Sequence, residues 1–262
     1  MENYPSILYK YRFWNDNYHK DVISKGIVFL APPTSFEDPK DCKLFKRYDL
    51  LTHNEIYSHY YKDSIKNNNN WTRQQHRKFA RDWTKKSPMR NKENIKKMQE
   101  KHFLEFDKRF GVLSLTANPK NFDMWEKYAD SHRGFCVGFD AKLLFDLVGS
   151  GGEVIYYDLL PDILPSDSRE IEYIKQTYSK ESKWSFEEEY RTQKFFPSPA
   201  KIDDRCIKLP KDCIKEIIFG ESLSSDERGE IISICIENNF NVEYFEEKIY
   251  SNEDVRINTY TP

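Results

Sequence analysis

The amino-acid sequence predicts an α+β fold in which a mainly antiparallel sheet carries one helical insertion. Short apolar and aromatic segments, typical of strands, occur on both sides of a long polar stretch in this chain of 262 residues. That stretch, residues 45–108, is rich in bases and has ring spacings that suit amphipathic helices. We therefore predict a single α+β domain over residues 1–262, with a helical basic insertion at about 45–108.

The strands are predicted from short runs of apolar or aromatic residues, beginning with the alternation of ring and base at residues 8–13. They are expected at residues 8–13, 27–30, 111–116, 134–139, 154–157, 191–196, 213–220 and 242–245. Helical segments are expected at residues 21–26, 122–130, 165–183 and 224–240. The last of these begins with Ser224 and Glu227, which have the spacing of a capping box. Residues 31–39 contain three prolines and are predicted to form a loop.

Composition restricts the class of protein without identifying its partners. A core can be built from rings, because the chain contains 17 Tyr and 18 Phe, and its net charge of −2 favours no particular partner. No apolar run is long enough to span a membrane, and the N-terminal residues lack the pattern of a signal peptide. The five cysteines are scattered and predict neither a disulfide framework nor a metal site. We expect a soluble, cytoplasmic protein.

The stretch Lys183–Arg191 concentrates charge between aromatic residues. If it is a strand, Glu187, Glu189 and Arg191 share one face, and Phe186 and Tyr190 share the other. Like charges crowded on one face indicate a functional use or a neutralising partner. The alternative is a helix that begins here, because Ser185 and Glu188 also have capping-box spacing.

The insertion contains a second candidate site, formed by Arg73, Arg77, Lys78 and Arg81 with Trp71, His76, Phe79 and Trp83 interleaved. Rings and cations in this combination can hold single-stranded nucleic acid, because bases stack on the rings and cations follow the phosphates. The alternative, which we favour, is an amphipathic helix with a solvated basic face and its rings in a core.

Several segments together resemble the bacterial domain-of-unknown-function family two-nine-seven-one. They are residues 8–12, 32–41, 114–116, 124–129, 132–139 and 184–191. One departure is Glu37, which stands where the family's phenylalanine–asparagine–aspartate–proline motif has asparagine. The family name implies no activity.

The order of the segments also resembles the plan of the ADP-ribosyltransferase fold. This resemblance implies that Arg12 or Tyr11 contacts NAD, that Trp125 or Tyr128 lies over the nicotinamide, and that Glu187 and Glu189 are catalytic. Glu189 would stabilise the oxocarbenium-like transition state, and Glu187 would orient or deprotonate the acceptor. Arg12 would bind the pyrophosphate, and Arg191 would either join the NAD site or neutralise the glutamates. We expect Arg12, Tyr128, Glu187 and Glu189 to line one cleft.

Three functional hypotheses follow. The first is an ADP-ribosyltransferase-like enzyme, a toxin or phage-defence effector that modifies nucleic acid or protein and has an antitoxin or chaperone partner. The second is a nucleic-acid-binding or nuclease-like protein in which Asp38, Asp41 and the glutamates hold Mg²⁺. The third is a non-catalytic sensor or interaction module, in which the glutamates and Arg191 form a network that stabilises the fold.

Overall fold

The computed structural model describes residues 4–250 and 253–262. It is 45% helical and 24% strand, with one large and mostly antiparallel sheet, which confirms the predicted α+β class. The chain divides into two compact units. The first comprises the described residues up to Pro39 together with Asp107–Leu159 and Tyr178–Pro262, and the second comprises Lys40–Phe106 and Leu160–Thr177. Among the described residues, no helix is long and apolar enough to cross a membrane.

All the strands belong to the first unit. They are β1 (Ile7–Arg12), β2 (Ile27–Phe29), β3 (Phe110–Thr116), β4 (Phe135–Asp140), β5 (Gly151–Glu153), β6 (Ile155–Tyr157), β7 (Ser179–Glu181), β8 (Glu189–Phe195), β9 (Cys206–Lys208), β10 (Ile214–Phe219), β11 (Glu243–Ile249) and β12 (Val255–Thr259). Eight of them form one sheet in the order β12–β11–β10–β4–β1–β3–β8–β5, in which β10 and β11 are parallel. The pairs β2–β9 and β6–β7 form two small sheets.

The helices are α1 (Asn17–Ser24), α2 (His53–Asn67), α3 (Arg73–Lys86), α4 (Lys92–Arg109), α5 (Phe122–Tyr128), α6 (Ala141–Val148), α7 (Arg169–Tyr178), α8 (Ile202–Arg205) and α9 (Ser225–Glu237). The capping box predicted for α9 is present, since the Ser224 hydroxyl accepts from the Glu227 amide. Residues 60–104, all of which the structure describes, contain helices and no strand. The single-domain assignment for residues 1–262 stays a prediction.

The large sheet buries a different core on each face. Leu8, Val137 and Ile217 belong to the larger core, whereas Tyr11 and Cys136, which are opposed in the β1–β4 pair, belong to the smaller one. The smaller core also includes Trp125 of α5, whose ring lies edge-on to Tyr11 at a centroid distance of 4.9 Å. Its indole N–H donates to the Pro119 carbonyl at 2.9 Å, so this ring fixes α5 against the sheet.

The turn after α5 has an unusual backbone. Asp130, Ser131 and His132 are consecutive residues with positive φ angles of 51°, 49° and 64°. Local strain of this kind persists only where the surroundings hold it. Here the buried His132 Nδ1 lies 2.7 Å from Oε1 of the buried Glu247, and the His132 carbonyl accepts from the Ser222 amide at 3.0 Å.

Several sequence predictions need correction. The segment 165–183 is not one helix, because α7 ends at Tyr178 and β7 follows. The strand expected at 27–30 lies in a small sheet, and the strand expected at 242–245 extends to Ile249 and is followed by β12. The predictions missed β5, β7, β9, β12, α6 and α8. The strands β5, β7 and β9 and the helix α8 are short, and β12, with its sequence Val-Arg-Ile-Asn-Thr, is half polar, so they carry little periodic signal. The helix α6 does have apolar residues at helical spacing, and the prediction overlooked it.

Replacing Gly134 with alanine should lower the free energy of unfolding by about 3 kcal/mol, because the added methyl group overpacks the backbone. An ideal Cβ at Gly134 would lie 2.1 Å from the Arg12 carbonyl oxygen on the central strand β1. Urea unfolding measures the change. As a matched control, Gly229→Ala in α9 adds a Cβ that meets nothing within 4 Å and should stabilise the protein by about 1 kcal/mol. Equal effects of the two substitutions would contradict this close approach.

Candidate functional site

The charged stretch of residues 183–191 is neither the continuous strand nor the α-helix start that the sequence suggested. Residues Ser182–Glu187 form a 3₁₀ helix, and Glu188 adopts a left-handed conformation with φ 43° and ψ 52°. The strand β8 begins only at Glu189. Because Glu188 reverses the expected alternation, Phe186 packs on the smaller core and Tyr190 on the larger one, so they do not share a face.

The two predicted glutamates nevertheless meet, because a lysine joins them. The buried ammonium of Lys180, on β7, donates to Glu187 and also to Oε2 of Glu189, the latter at 2.9 Å. Tyr128 of α5 donates its hydroxyl to Glu187 Oε1 at 2.7 Å. Arg191 binds Glu189 through Nε at 2.7 Å and Nη2 at 2.9 Å, in bidentate geometry. We call Lys180, Glu187, Glu189, Tyr128 and Arg191 the glutamate cluster.

Burial and neighbouring charges move the two carboxyl groups in opposite directions. Burial raises the pKa of Glu187, and the nearby Glu189 charge adds to that effect, although the Lys180 charge opposes both. Burial alone would also raise the pKa of Glu189, but the charges of Arg191 and Lys180 hold it well below its usual value. Glu189 is therefore firmly ionised, while Glu187 is the carboxyl group of the pair that takes up a proton more readily.

Aromatic residues surround the lysine. The Lys180 ammonium lies 5.2 Å from the centroid of the half-buried Trp184 ring, and Lys127 lies 4.2 Å from the same ring. The indole N–H of Trp184 is buried and has no hydrogen-bond partner within the described chain. Lys127 also forms an ion pair of 2.8 Å with Glu37. Tyr156 accepts from the Glu189 amide at 2.9 Å.

The large sheet opens next to the glutamate cluster. Among the described residues, β1 pairs with β3 at one position, Tyr9 opposite Thr116. In contrast, β1 pairs with β4 along its whole length. Beyond that pair, Lys10 Nζ donates to the Ser114 carbonyl at 2.6 Å. Burial and the Arg12 charge lower the pKa of Lys10 to about 7, although the charges of Glu189 and Glu187 act in the opposite direction. We call this opening the β1–β3 seam.

Arg12 does not join the glutamates as predicted. Thr116 stands opposite both Tyr9 and Glu189, so alternation puts Glu189 on the face of Tyr9 and Arg12 on the other face. The Arg12 guanidinium donates to the Tyr11 carbonyl at 3.4 Å, and within the described residues no hydrogen bond or ion pair joins it to either glutamate. Burial lowers the pKa of Arg12 to about 10. Burial and the charge of Arg12 lower that of the neighbouring His19 to about 4.

The rings that were expected to contact NAD have different surroundings. Trp125 and Tyr11 are buried in the smaller core and pack on each other, so neither presents an open face in this structure. The Tyr11 hydroxyl donates to the Asn118 carbonyl at 2.8 Å. Tyr128, in contrast, is half-buried and belongs to the glutamate cluster. The structure therefore brings together Tyr128, Glu187, Glu189 and Arg191, and it places Arg12, Tyr11 and Trp125 elsewhere.

The candidate nucleic-acid residues lie on α3. Arg73, Arg77 and Arg81 follow one another at four-residue intervals and form one ridge of the helix. Phe79 stands two residues from both Arg77 and Arg81, and this separation puts it on the other side of the helix, roughly 200° around. The rings of Trp71, Phe79 and Trp83 instead pack in a row that ends on Tyr60 of α2, with 5.8–5.9 Å between successive centroids. They pack the two helices together, and Lys78, three residues before Arg81, borders the arginine ridge. Nucleic-acid binding by these residues stays a prediction.

The acidic residues considered as magnesium ligands, Asp38 and Asp41, are both buried. Among the described residues, no group of three or more His, Cys, Asp or Glu side chains is arranged to hold a metal ion.

Sequence reasoning missed Lys180, Lys10 and Tyr156. Lys180 lies in a segment that was assigned to a helix, and nothing in its local pattern distinguishes it from a surface lysine. The available signal was indirect, because two buried glutamates require a cation and the only one proposed nearby in the sequence was Arg191.

Residues 124–192 match the family model described as "Protein of unknown function (DUF2971)". The match supports the family predicted from the sequence over this part of the chain. It begins in α5 and ends in β8, so it contains every member of the glutamate cluster. No curated protein and no solved structure matches the chain.

Replacing Lys10 with methionine should stabilise the protein near neutral pH by about 1–3 kcal/mol, because it removes a half-buried ammonium that the Arg12 charge also disfavours. Folded Lys10 loses its proton at about pH 7, whereas an ordinary lysine keeps it until about 10.5. Between these values the folded state binds fewer protons than the unfolded state, so wild-type stability rises with pH. The advantage of Lys10→Met should therefore be largest at about pH 6 and should shrink towards about pH 9.5. Urea unfolding at both values measures it.

Lys97→Met is the matched control, since this lysine side chain on α4 is 68% exposed. Its effect should be small and nearly the same at both pH values. A Lys10→Met effect that is equally independent of pH would contradict the burial of the Lys10 ammonium in the seam.

Proposed function

We propose that the protein is an NAD-dependent ADP-ribosyltransferase that breaks the bond between nicotinamide and ribose at the glutamate cluster. The observation that carries the proposal is the pair of carboxyl groups with opposite pKa shifts, one raised and one lowered, bridged by a single lysine. Enzymes that cleave glycosidic bonds commonly assign different roles to two carboxyl groups in this way.

Each glutamate has the protonation behaviour that its role requires. As the bond to nicotinamide breaks, its electron pair leaves with nicotinamide, and positive charge develops on the ribose. The ionised Glu189 is suited to stabilise that charge. Glu187 accepts the proton of the attacking nucleophile. A general base works best when its pKa is near the operating pH, and the raised pKa of Glu187 moves it in that direction. The Tyr128 hydroxyl and Lys180 hold Glu187 in position.

Residues around the cluster offer contacts for the remainder of the substrate. Lys10 lies in the β1–β3 seam, where its ammonium would bind a phosphate of the substrate. Arg12, on the other face of the sheet, is not part of this proposal. Trp184 takes the role that the sequence suggested for Trp125, because its half-buried ring lies beside Lys180. The acceptor in this proposal is a nucleic acid or a protein. Toxin or phage-defence activity, with an antitoxin or chaperone partner, belongs to the same proposal.

The test measures by chromatography how fast wild-type protein and three glutamine variants release nicotinamide from NAD. Glu189→Gln and Glu187→Gln should each lower the rate by about 10²–10³, the range for losing a single electrostatic stabiliser or a general base. Glu188→Gln is the matched control, because Glu188 lies between the two and is exposed. It should leave the rate unchanged.

Thermal unfolding of each variant separates chemistry from stability, since Glu189→Gln leaves two buried cations with one partner fewer. Should that variant unfold, Glu187→Gln carries the test, because the amide oxygen can still accept from Tyr128. The proposal fails if wild-type protein releases no nicotinamide, or if folded Glu187→Gln and Glu189→Gln variants retain the wild-type rate. The second result would make the cluster a structural network.

A further inference from the structure

One side of α3 carries a concentration of positive charge that the transferase proposal does not use. Five bases contribute, and all of them are exposed: Arg73, Arg77, Lys78, Arg81 and Lys85. Successive residues of an α-helix are about 100° apart, so the five lie within a sector of about 140° that extends for about 18 Å along the helix axis. We call these five residues the basic face.

The basic face lacks acidic partners. None of its five side chains forms an ion pair with any described residue, and α3 contains a single acidic residue, Asp82. The lysines of α4 differ, because Lys96 pairs with Glu100 at 3.8 Å and Lys97 pairs with Glu93 at 2.8 Å. The whole chain has a net charge of only −2, so the excess of positive charge is local to α3. A field of this kind attracts an anionic partner.

The aromatic residues of α3 do not border the basic face. Phe79 and Trp83 lie on the opposite side of the helix, where their rings belong to the row that ends on Tyr60 of α2. The buried His76 lies 2.8 Å from the hydroxyl of Ser64, also on α2. A single strand is held by rings that stack with its bases beside the cations that follow its phosphates. The basic face offers the cations without the rings.

The packing of α3 on α2 also disfavours a membrane as the anionic partner. A helix that binds at a membrane interface buries its apolar side among the lipids, and the apolar side of α3 is already packed within the protein. A nucleic-acid duplex requires neither rings nor an apolar side, because it presents about one negative charge per 1.7 Å of its axis. Three of the five bases are arginines, which bind phosphate in bidentate geometry.

We infer that the basic face of α3 binds the phosphate backbone of double-stranded nucleic acid. Contacts to phosphate carry no sequence information, so the binding is independent of sequence. The basic face shares no residue with the glutamate cluster, and the binding requires no NAD. The inference therefore does not depend on the transferase proposal.

Fluorescence anisotropy at several salt concentrations tests the inference. The probes are labelled DNA and RNA duplexes of about 20 base pairs, which are longer than α3, and one of the DNA strands alone. If all five bases contact phosphates, a plot of log affinity for the DNA duplex against log salt concentration should have a slope of about −4.5, or about a 500-fold loss between about 50 and 200 mM salt. Two DNA duplexes of unrelated sequence should bind equally, and the single strand should bind more weakly.

Replacing Arg77 and Arg81 together with alanine should reduce the slope to about −2.7, or about a 40-fold loss over the same range of salt. Both side chains are exposed and alanine favours a helix, so this variant is expected to fold, which circular dichroism checks. The matched control replaces Lys96 and Lys97 together with alanine. It removes the same charge from exposed positions whose lysines already have acidic partners, so the slope should stay near that of wild type.

The inference is overturned if wild-type protein binds neither duplex at low salt, or if the single strand binds more tightly than the duplexes. Equal reductions of the slope by the two double variants would also overturn it, since the basic face would then not be the binding surface. Binding to phosphatidylserine vesicles without binding to either duplex would make the basic face a membrane-binding surface instead.

Discussion

The buried ammonium of Lys180 is the interaction on which the candidate site depends, since it joins two carboxylates that would otherwise repel each other. Moving Lys180, Glu187 and Glu189 out of water is costly, and the cost is offset only where each charge has close partners. Arg191 and Tyr128 complete that requirement, one for each glutamate. Breaking any one of these contacts leaves a buried charge with fewer partners, so the five residues of the cluster are coupled.

The fold supplies those partners from separate elements. Lys180 comes from β7, Glu187 from the end of a 3₁₀ helix, Glu189 and Arg191 from β8, and Tyr128 from α5. The position of α5 is set in turn by Trp125, which packs edge-on against Tyr11 of β1. Two rings that the sequence suggested as ligand contacts are thus buried residues that hold Tyr128 in place. Their aromatic character serves packing, which is the commoner use of buried rings.

Sequence reasoning found the glutamate pair for a reason that the structure does not support. Strand alternation was expected to bring Glu187 and Glu189 together, but Glu188 is left-handed and Glu187 lies outside the strand. Their proximity comes from Lys180, whose position depends on the pairing of β6 with β7, and long-range pairing leaves no local pattern. The helices of residues 60–104 were predictable because their caps and periodicity are local, as at Thr72 and Gln75. The separation of Arg12 from the glutamates follows from sheet register, which a single sequence does not specify.

The central claim is that Lys180 joins two neighbouring glutamates whose carboxyl groups have different pKa values, raised for Glu187 and lowered for Glu189. Carbon-13 NMR of the side-chain carboxyl groups during a pH titration measures this directly, with Glu187→Gln and Glu189→Gln used to assign the two signals. The account predicts that Glu187 titrates above the usual value for glutamate, about 4.3, while Glu189 stays ionised well below it. Titration of both groups near the usual value, or in the reverse order, would contradict the account.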